Sequence, residues 1–189
     1  MSELTADRLR EIVSYNSETG EFTWLSRPVT HWCHKAWNAQ WAGNVVGLTI
    51  ARSSSHPGCK HYALIRLSGR AYGAHRLAWL FVTGVWPVAE LDHRNNNPLD
   101  NRICNLREAT HAENQRNKGP MSNNRLGIKG VSYSATRLGL KKYKAQIKHD
   151  KKTKHIGWFE TAELASAAYV VVAQRLHGEF LHKSQKTEQ

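Results

Sequence analysis

Cysteines and long apolar runs are scarce in this sequence, and each scarcity excludes a class of protein. Three cysteines among 189 residues are too few and too odd a number for a disulfide framework, which fits a reducing cytoplasm. The longest apolar stretches, 77–82 and 167–173, are far shorter than the roughly 20 residues that span a bilayer. Five charged residues within the first eleven argue against a signal peptide. We therefore expect a cytoplasmic protein that does not bind membranes.

Acidic residues are also few, with 15 Asp and Glu against 27 Lys and Arg, a net charge of +12. This excess favours an anionic partner, and nucleic acid first of all. The charge is unevenly spread: residues 1–70 carry +3, 71–117 are neutral, 118–155 carry +10 and 156–189 carry −1. Within 118–155, apolar residues alternate with the Lys and Arg residues. We therefore predict a basic sheet face there rather than a charged linker.

The apolar fraction of 40% is ordinary for a folded core, and the element pattern predicts an α+β protein. In chain order the predicted parts are an N-terminal helix and β-hairpin arm (1–70), a compact unit (71–117), a linker (118–126), a sheet-plus-helix domain (127–181) and a tail (182–189). Helices are predicted at 4–15, at 74–82 before Gly84, after the N-cap Thr110, and from Thr161 to Gly178. Strands are predicted at 21–25, 62–67, 88–91, 103–106, 130–136, 142–149 and 153–159.

A polar centre follows the predicted strand 88–91. Hydrolysis of a phosphodiester requires a base that deprotonates water and a hard cation that stabilises negative charge. Asp92 offers a hard oxygen ligand, and His93, with an ordinary pKa near ~6.5, suits a base at neutral pH. Asn114 adds an amide oxygen early in the helix after Thr110. Neighbours on a strand point to opposite faces, so Asp92 and His93 serve one site only if the chain bends there.

At these residues the sequence resembles the HNH nucleases, in the branch found in phage and intron homing endonucleases. The resemblance covers about residues 75–117, through HRLAWLFVTGVWP, LDHRNNNPLDNRICNLREAT and ENQRN. It implies a ββα-metal unit with Asp92 and Asn114 as ligands of Mg²⁺ or Mn²⁺, and His93 as general base. Asn105 would hold the hairpin and orient the histidine. Asn105 and Asn114 lie 12 and 21 residues beyond His93, a separation that the family also uses.

The C-terminal segment, about 126–180, resembles the ethylene-response-factor type of DNA-binding domain, in the version joined to phage HNH nucleases. The matching residues are GVSY, YKAQI, IGWF, TAE, AAY and LHGEF. The resemblance implies a three-stranded antiparallel sheet, backed by one helix, whose open face enters the major groove. The family's DNA-contacting positions fall on Lys129, Ser132, Ser134, Lys148, Thr153 and His155. Several of these are small or neutral, so we predict DNA binding without a target sequence.

Alternation along the strands agrees with an open face. It turns one set of residues toward the helix: Val131, Tyr133, Tyr143, Ala145 and Ile147. The other face then carries Ser132, Ser134, Lys142, Lys144, Gln146 and Lys148. Lysines there would neutralise phosphates, while Gln146 or Ser134 would reach base edges.

Three further groups keep more than one interpretation. The first is His31, Cys33, His34, His56, Cys59 and His61, whose spacing lacks a paired C-x-x-C and favours scattered core Cys and exposed His over a zinc site. The second is His75 and Arg76, where packing and a phosphate contact by Arg76 are equally open. The third is Arg94, Arg102, Arg107 and Arg116, which suit either phosphate contacts or structural ion pairs.

The sequence therefore predicts a metal-dependent DNA endonuclease, a phage homing enzyme of the host-cell cytoplasm. It would act on double-stranded DNA as a monomer, with no obligatory protein partner. A monomer would nick one strand, whereas double-strand cleavage would require two active sites or sequential cuts. The alternatives are a catalytically silent DNA-binding regulator and a less specific phage nuclease. An RNA-binding protein is a further alternative, but it would need exposed aromatic residues that the predicted open face does not carry.

Overall fold

The structure is a computed structural model that describes residues 4–52, 61–120, 123–150 and 152–180. In this part of the chain it has five α-helices and four small antiparallel sheets. The chain divides into two units, Met1–Thr110 and His111–Gln189, and each has its own apolar core. The mixed α and β composition agrees with the predicted fold class.

The first unit contains three helices and seven strands within its described residues. They are α1 (Ala6–Ile12), β1 (Val13–Tyr15), β2 (Phe22–Trp24), α2 (His34–Trp41), β3 (Thr49–Arg52), β4 (His61–Leu67), β5 (Arg70–Gly73), α3 (Ala74–Thr83), β6 (Glu90–His93) and β7 (Leu106–Ala109). The strands pair as β1–β2, β3–β4–β5 and β6–β7, and a 3₁₀ turn, Ile103–Asn105, leads into β7.

The predicted hairpin and its following helix are confirmed. Strands β4 and β5 pair across the Ser68–Gly69 turn, and α3 ends at Gly84, which is left-handed (φ 81°) and donates its N–H to the Leu80 carbonyl. The apolar face of α3 is fully buried because Leu77 and Leu80 pack in one cluster with Ile65 of β4. The sheet and α3 thus form the frame on which the rest of the unit is built.

Two predictions in this unit were wrong in detail. The first helix ends at Ile12 rather than near Tyr15, because Val13 leaves helical geometry and pairs with Trp24 of β2. No helix or strand was predicted within 26–60, yet the described part of this stretch contains α2, none of whose side chains is fully buried, and the edge strand β3. Neither element has the buried face that produces a sequence pattern.

The second unit has the predicted sheet backed by one helix. Its elements are α4 (His111–Asn117), β8 (Val131–Tyr133), β9 (Tyr143–His149), β10 (Lys152–Phe159) and α5 (Ala162–His177), followed by a 3₁₀ turn, Gly178–Phe180. Strand β9 lies between β8 and β10, and α5 packs on the sheet. Thr161 caps α5 by accepting the Leu164 N–H (3.2 Å), as predicted.

The core of this sheet differs from the predicted one at Tyr133. Val131, Ala145 and Ile147 are buried with Tyr169 of α5, whereas Tyr133 is 50% exposed and packs on Tyr143. Tyr133 lies at the end of the short strand β8, outside the cluster that α5 covers.

The division between the units falls at Thr110, whereas the sequence placed a linker at 118–126. Helix α4 is therefore grouped with the second unit, where it packs against the 3₁₀ turn Gly178–Phe180. Among the described residues, no helix combines the length and apolar character needed to cross a membrane.

Candidate active site and nucleic-acid interface

Asp92 and His93 end strand β6 and are both buried, at 1% and 2% exposure. The register of the β6–β7 hairpin sets Asp92 opposite Arg107 and His93 opposite Leu106. Directly after His93 the chain turns, since the Asn96 N–H donates to the His93 carbonyl (2.9 Å). The two side chains nevertheless have different neighbours, as expected for successive residues of a strand.

The Asp92 carboxylate forms a buried ion pair with Arg107. Nε and Nη2 of Arg107 both donate to Oδ2 of Asp92, at 3.0 and 2.8 Å, and the arginine side chain is only 5% exposed. A charge-assisted pair of this kind fixes the direction of the carboxylate. Sequence reasoning left Arg107 open between a phosphate contact and an ion pair, and the structure shows the ion pair.

His93 lies against two other aromatic rings. The ring centroids of His93 and His75 are 5.4 Å apart, and those of His93 and Tyr62 are 6.2 Å apart. His75 and Tyr62 also contact each other, at 5.4 Å. Burial raises the pKa of Tyr62, and the nearby carboxylates of Asp92 and Glu90 raise it further. This three-ring cluster joins strand β4, the first turn of α3 and the end of β6.

His75 is held neutral in this cluster. Burial, together with smaller electrostatic contributions from His93 and Arg76, lowers its pKa to about 4. Its Nδ1 is buried and has no hydrogen-bond partner among the described residues. His75 thus packs against His93. Its neighbour Arg76 lies over the Trp86 ring, with Cζ 5.7 Å from the centroid.

Asn105 ties the loop after His93 to the start of β7. Its Oδ1 accepts the Asn95 N–H (3.0 Å), its Nδ2 donates to the Asp100 carbonyl (2.8 Å), and its own carbonyl accepts the Arg94 N–H (2.8 Å). These bonds span the loop from both ends. Asn105 is buried, and this restrains the backbone that follows His93.

The N-terminal arm supports the same loop. The Tyr15 hydroxyl donates to the Asn101 carbonyl (2.7 Å), and burial raises the pKa of Tyr15 to about 12. Next to it, Arg102 binds Asp100 through Nε (2.8 Å) and Nη2 (2.6 Å), which holds the pKa of Asp100 down at about 2. Arg102 is thus an ion-pair partner, the second of its two open interpretations.

Asn114 lies on α4 and belongs to the second unit, unlike Asp92, His93 and Asn105. The C-terminal end of α4 is held within that unit by Lys129, whose Nζ donates to the carbonyls of Arg116 and Lys118. Burial lowers the pKa of Lys129 to about 8. Because its ammonium is engaged in this way, we leave Lys129 out of the DNA-binding surface in which the sequence placed it.

No three His, Cys, Asp or Glu side chains form a metal-holding group within 4–52, 61–120, 123–150 and 152–180. Of the six residues considered for zinc, His56 and Cys59 lie outside the described residues. Cys33 Sγ accepts from Arg27 Nη1 (3.0 Å) and lies 3.4 Å from Nδ1 of His31. His34 bonds the His31 carbonyl, and His61 is on β4.

The open face of the β8–β9–β10 sheet carries the remaining predicted DNA contacts, and we call it the basic sheet face. Its cross-strand pairs are Ser132 with Lys144, Gln146 with His155, and Lys148 with Thr153. Ser134 and Lys142 continue this face beyond the strand ends, where the Ser134 N–H donates to the Lys142 carbonyl (3.0 Å). All eight lie on the side opposite the buried Val131, Ala145 and Ile147.

Sequence reasoning missed one aromatic residue on this face. Trp158 is paired with Lys144, and the Arg137 guanidinium lies 4.2 Å from the centre of its ring. Simple alternation along β10 puts Trp158 on the opposite side from His155. A bulge between His155 and Gly157 inserts one residue and brings Trp158 to the basic sheet face. The expectation that this face has no aromatic residue was therefore wrong.

Comparison with known proteins shows that part of the chain is similar to a described family. Residues 72–116 match the family HNH endonuclease. A protein of Acanthamoeba polyphaga mimivirus, described as an uncharacterized HNH endonuclease, is 34% identical over 90 residues. The match covers 48% of this chain and 44% of the mimivirus protein, so the chain spans less than half of that relative's length. No solved structure gives a significant match.

Proposed function

We propose that this protein, whose residues 72–116 match the HNH endonuclease family, is a divalent-metal-dependent DNA endonuclease that hydrolyses phosphodiester bonds. In this proposal His93 is the general base, Asp92 and Asn114 are metal ligands, and Asn105 holds the hairpin of a ββα-metal unit. The observation that supports it best is the buried Asp92–His93 pair at the end of β6, with each side chain fixed by its own partners.

The donor set in the first unit fits a hard cation. Asp92 brings one buried carboxylate, oriented by Arg107, and Mg²⁺ characteristically uses one or two carboxylates and keeps several waters. This donor set does not resemble the three or four protein ligands of a zinc centre. When bound, a divalent ion supplies positive charge that stabilises the scissile phosphate and the leaving oxygen.

His93 takes the proton from the attacking water in the proposed reaction. A general base must keep one orientation, and the rings of His75 and Tyr62 restrict that of His93. Asn105 restrains the backbone after it. His75, held neutral by burial, adds no positive charge that would oppose a proton on His93.

The second unit is proposed to hold the DNA through the basic sheet face. Lys142, Lys144 and Lys148 would neutralise phosphates, and Gln146 would contact base edges in the major groove. Trp158, stacked under Arg137, adds an apolar surface on the edge strand β10 of this face. Coupling a weakly binding catalytic unit to a separate binding unit raises the effective concentration of DNA at the site.

The proposed biological role is that of a phage or intron homing endonuclease, and it rests on the sequence resemblance alone. With one site per chain, a monomer is expected to nick rather than cut both strands. The second candidate is a DNA-binding regulator without turnover, which the basic sheet face alone would support.

A plasmid-nicking assay tests the proposal. We expect the purified protein to convert supercoiled DNA to open circles in Mg²⁺ or Mn²⁺, and EDTA to stop the reaction. His93→Ala should lower the rate by about 10² to 10⁴-fold, the usual contribution of a positioned base. His34→Ala is the matched control, because His34 bonds the His31 carbonyl away from Asp92 and should keep full activity.

Two results would reject the catalytic assignment: equal nicking by the wild type and His93→Ala, or nicking that persists in EDTA. A protein that binds DNA tightly but never nicks it would favour the regulator.

A further inference from the structure

We infer that the first unit has a DNA-binding surface of its own, on the face of the β3–β4–β5 sheet that carries Tyr62, Leu64 and Arg66. We call it the acid-free face. The inference rests on the proposed function in one respect, since it takes duplex DNA as the substrate. It adds a second region of contact, next to the candidate base and separate from the basic sheet face.

The first observation is a long stretch without acidic residues. No Asp or Glu occurs between Glu21 and Glu90, a run of 68 residues, whereas average composition would place about eight there. The same run contains seven Lys and Arg. The modest charge of +3 for residues 1–70 conceals this, because all five acids of that segment lie within the first 21 residues. A phosphate backbone approaching this stretch meets no carboxylate from it.

The second observation is the shape of the face. Along β4, Ala63, Ile65 and Leu67 are buried in the core, so the alternate residues turn to the other side of the sheet. The cross-strand partners of Tyr62, Leu64 and Arg66 are small. They are Thr49 and Ala51 on β3, and Ala71 and Gly73 on β5. A face flanked by small side chains lets a duplex backbone come close to the sheet.

The third observation is continuity with the candidate site. The Tyr62 ring contacts His93, which places one end of the acid-free face beside the proposed base. Arg66 is four residues further along the same strand and face, at about 3.4 Å per residue, or roughly 14 Å away. Phosphates of one DNA strand advance by about 3.4 Å along the helix axis, so Arg66 would meet a phosphate a few nucleotides from the scissile one.

Arg66 is available for such a contact. Its side chain is exposed, and none of the residues that the structure describes forms an ion pair with it. Arg8 offers a matched control in the same unit: it is also exposed, but it is paired with Glu11 at 2.6 Å and lies outside the acid-free run.

The test measures how duplex-DNA affinity of the full-length protein depends on salt, in EDTA so that no cleavage occurs. Each neutralised phosphate contributes about 0.9 to the slope of log K against log salt concentration. Arg66→Gln should therefore reduce the slope by about one, and Arg66→Lys should keep the wild-type slope. Arg8→Gln removes the same net charge and should leave the slope unchanged. Equal melting temperatures will show that all three variants are folded.

A wild-type slope for Arg66→Gln would overturn the inference. An equal reduction of the slope in Arg8→Gln would also overturn it, because the effect would then reflect net charge alone. Because the measurement uses no metal, it is independent of catalysis. If Arg66→Gln loses slope and the wild type does not nick DNA in Mg²⁺, the acid-free face stands and the nuclease assignment fails. If the wild type nicks DNA and the slope is unchanged, the nuclease assignment stands and the acid-free face fails.

Discussion

The two units use charged residues in opposite ways. In the first unit the polar residues of the candidate site are buried and bonded to one another, with Asp92 at 1% and its partner Arg107 at 5% exposure. In the second unit the charge is on the surface, where lysines line one face of a sheet and the core beneath is apolar. Buried, fixed charges suit chemistry at one point, whereas exposed lysines suit a long polyanion. Under the proposed function, the candidate chemistry therefore lies in the first unit and the lysine-rich surface in the second.

The largest expected effect on stability comes from replacing one glycine in each unit, at a position where an added Cβ would clash. A Cβ on Gly130 (φ +74°) would lie 2.0 Å from Cε2 of Tyr169, in the core of the second unit. A Cβ on Gly20 (φ +77°) would lie 2.7 Å from the Arg102 nitrogen, in the first. We expect Gly130→Ala to destabilise only the second unit and Gly20→Ala only the first, each by more than about 4 kcal/mol. Scanning calorimetry will show which transition moves.

Gly127→Ala is the control for both variants. Its φ is also positive (+64°), but nothing lies within 4 Å of the added Cβ, so it should cost only about 1 kcal/mol. If each core variant lowers both transitions together, the separation into two folding units is wrong.

The next effect concerns the buried ion pair. Arg107→Met would leave the Asp92 carboxylate buried without its guanidinium, which costs about 3 to 5 kcal/mol in comparable cases. Arg102→Met breaks a pair whose arginine is 46% exposed, so it should cost no more than about 1 kcal/mol. Urea unfolding followed by a probe in the first unit will measure both changes. Equal losses of unfolding free energy in the two variants would mean that burial does not determine how much each ion pair stabilises the unit.

The smallest effect is a dependence on pH that both units share. Burial lowers the pKa of His75 in the first unit, and of His177 in the second, to about 4. The unfolded chain, with an ordinary histidine pKa near ~6.5, takes up these protons first. Stability should therefore fall as the pH drops from about 6.5 to 4, by at most about 3 kcal/mol for each histidine. Asp100, with a pKa of about 2, stays ionised over this window.

Phenylalanine variants will separate the two contributions. His75 faces His93, Arg76 and Tyr62, and His177 faces His149, Arg116 and Lys129. His75→Phe should remove the acid sensitivity of the first transition alone, and His177→Phe that of the second alone. Melting curves between pH 4 and 7 will check this, and unchanged sensitivity in both variants would assign the effect to other groups.

The sequence predicted best those elements that bury one face. The hairpin strand β4 and the sheet with α5 were predicted because their apolar residues recur at the period of the element, and α3 because it is apolar on most sides and stops at Gly84. Helix α2 and strand β3 were missed because α2 buries no residue fully and β3 is an edge strand. The bulge that brings Trp158 to the basic sheet face leaves no trace in the alternation of β10.

At the candidate site, spacing identified Asp92, His93, Asn105 and Asn114, but not their surroundings. Arg107 is the partner of Asp92 only through the register of β6 and β7, which residues 94–105 separate in the sequence. Tyr62 reaches His93 from a strand some thirty residues earlier. Such contacts are set by tertiary packing, and a single sequence does not encode them in any local pattern.

The attachment of α4 bears on where this chain can be recombined. A crossover at Lys118 would separate α4 from the Lys129 ammonium that holds its end, whereas a crossover at Thr110 would leave the two together. Recombination, natural or engineered, therefore preserves this contact only where residues 111–129 are inherited as one block. The predicted linker at 118–126 lies inside that block, so it is not a point of exchange.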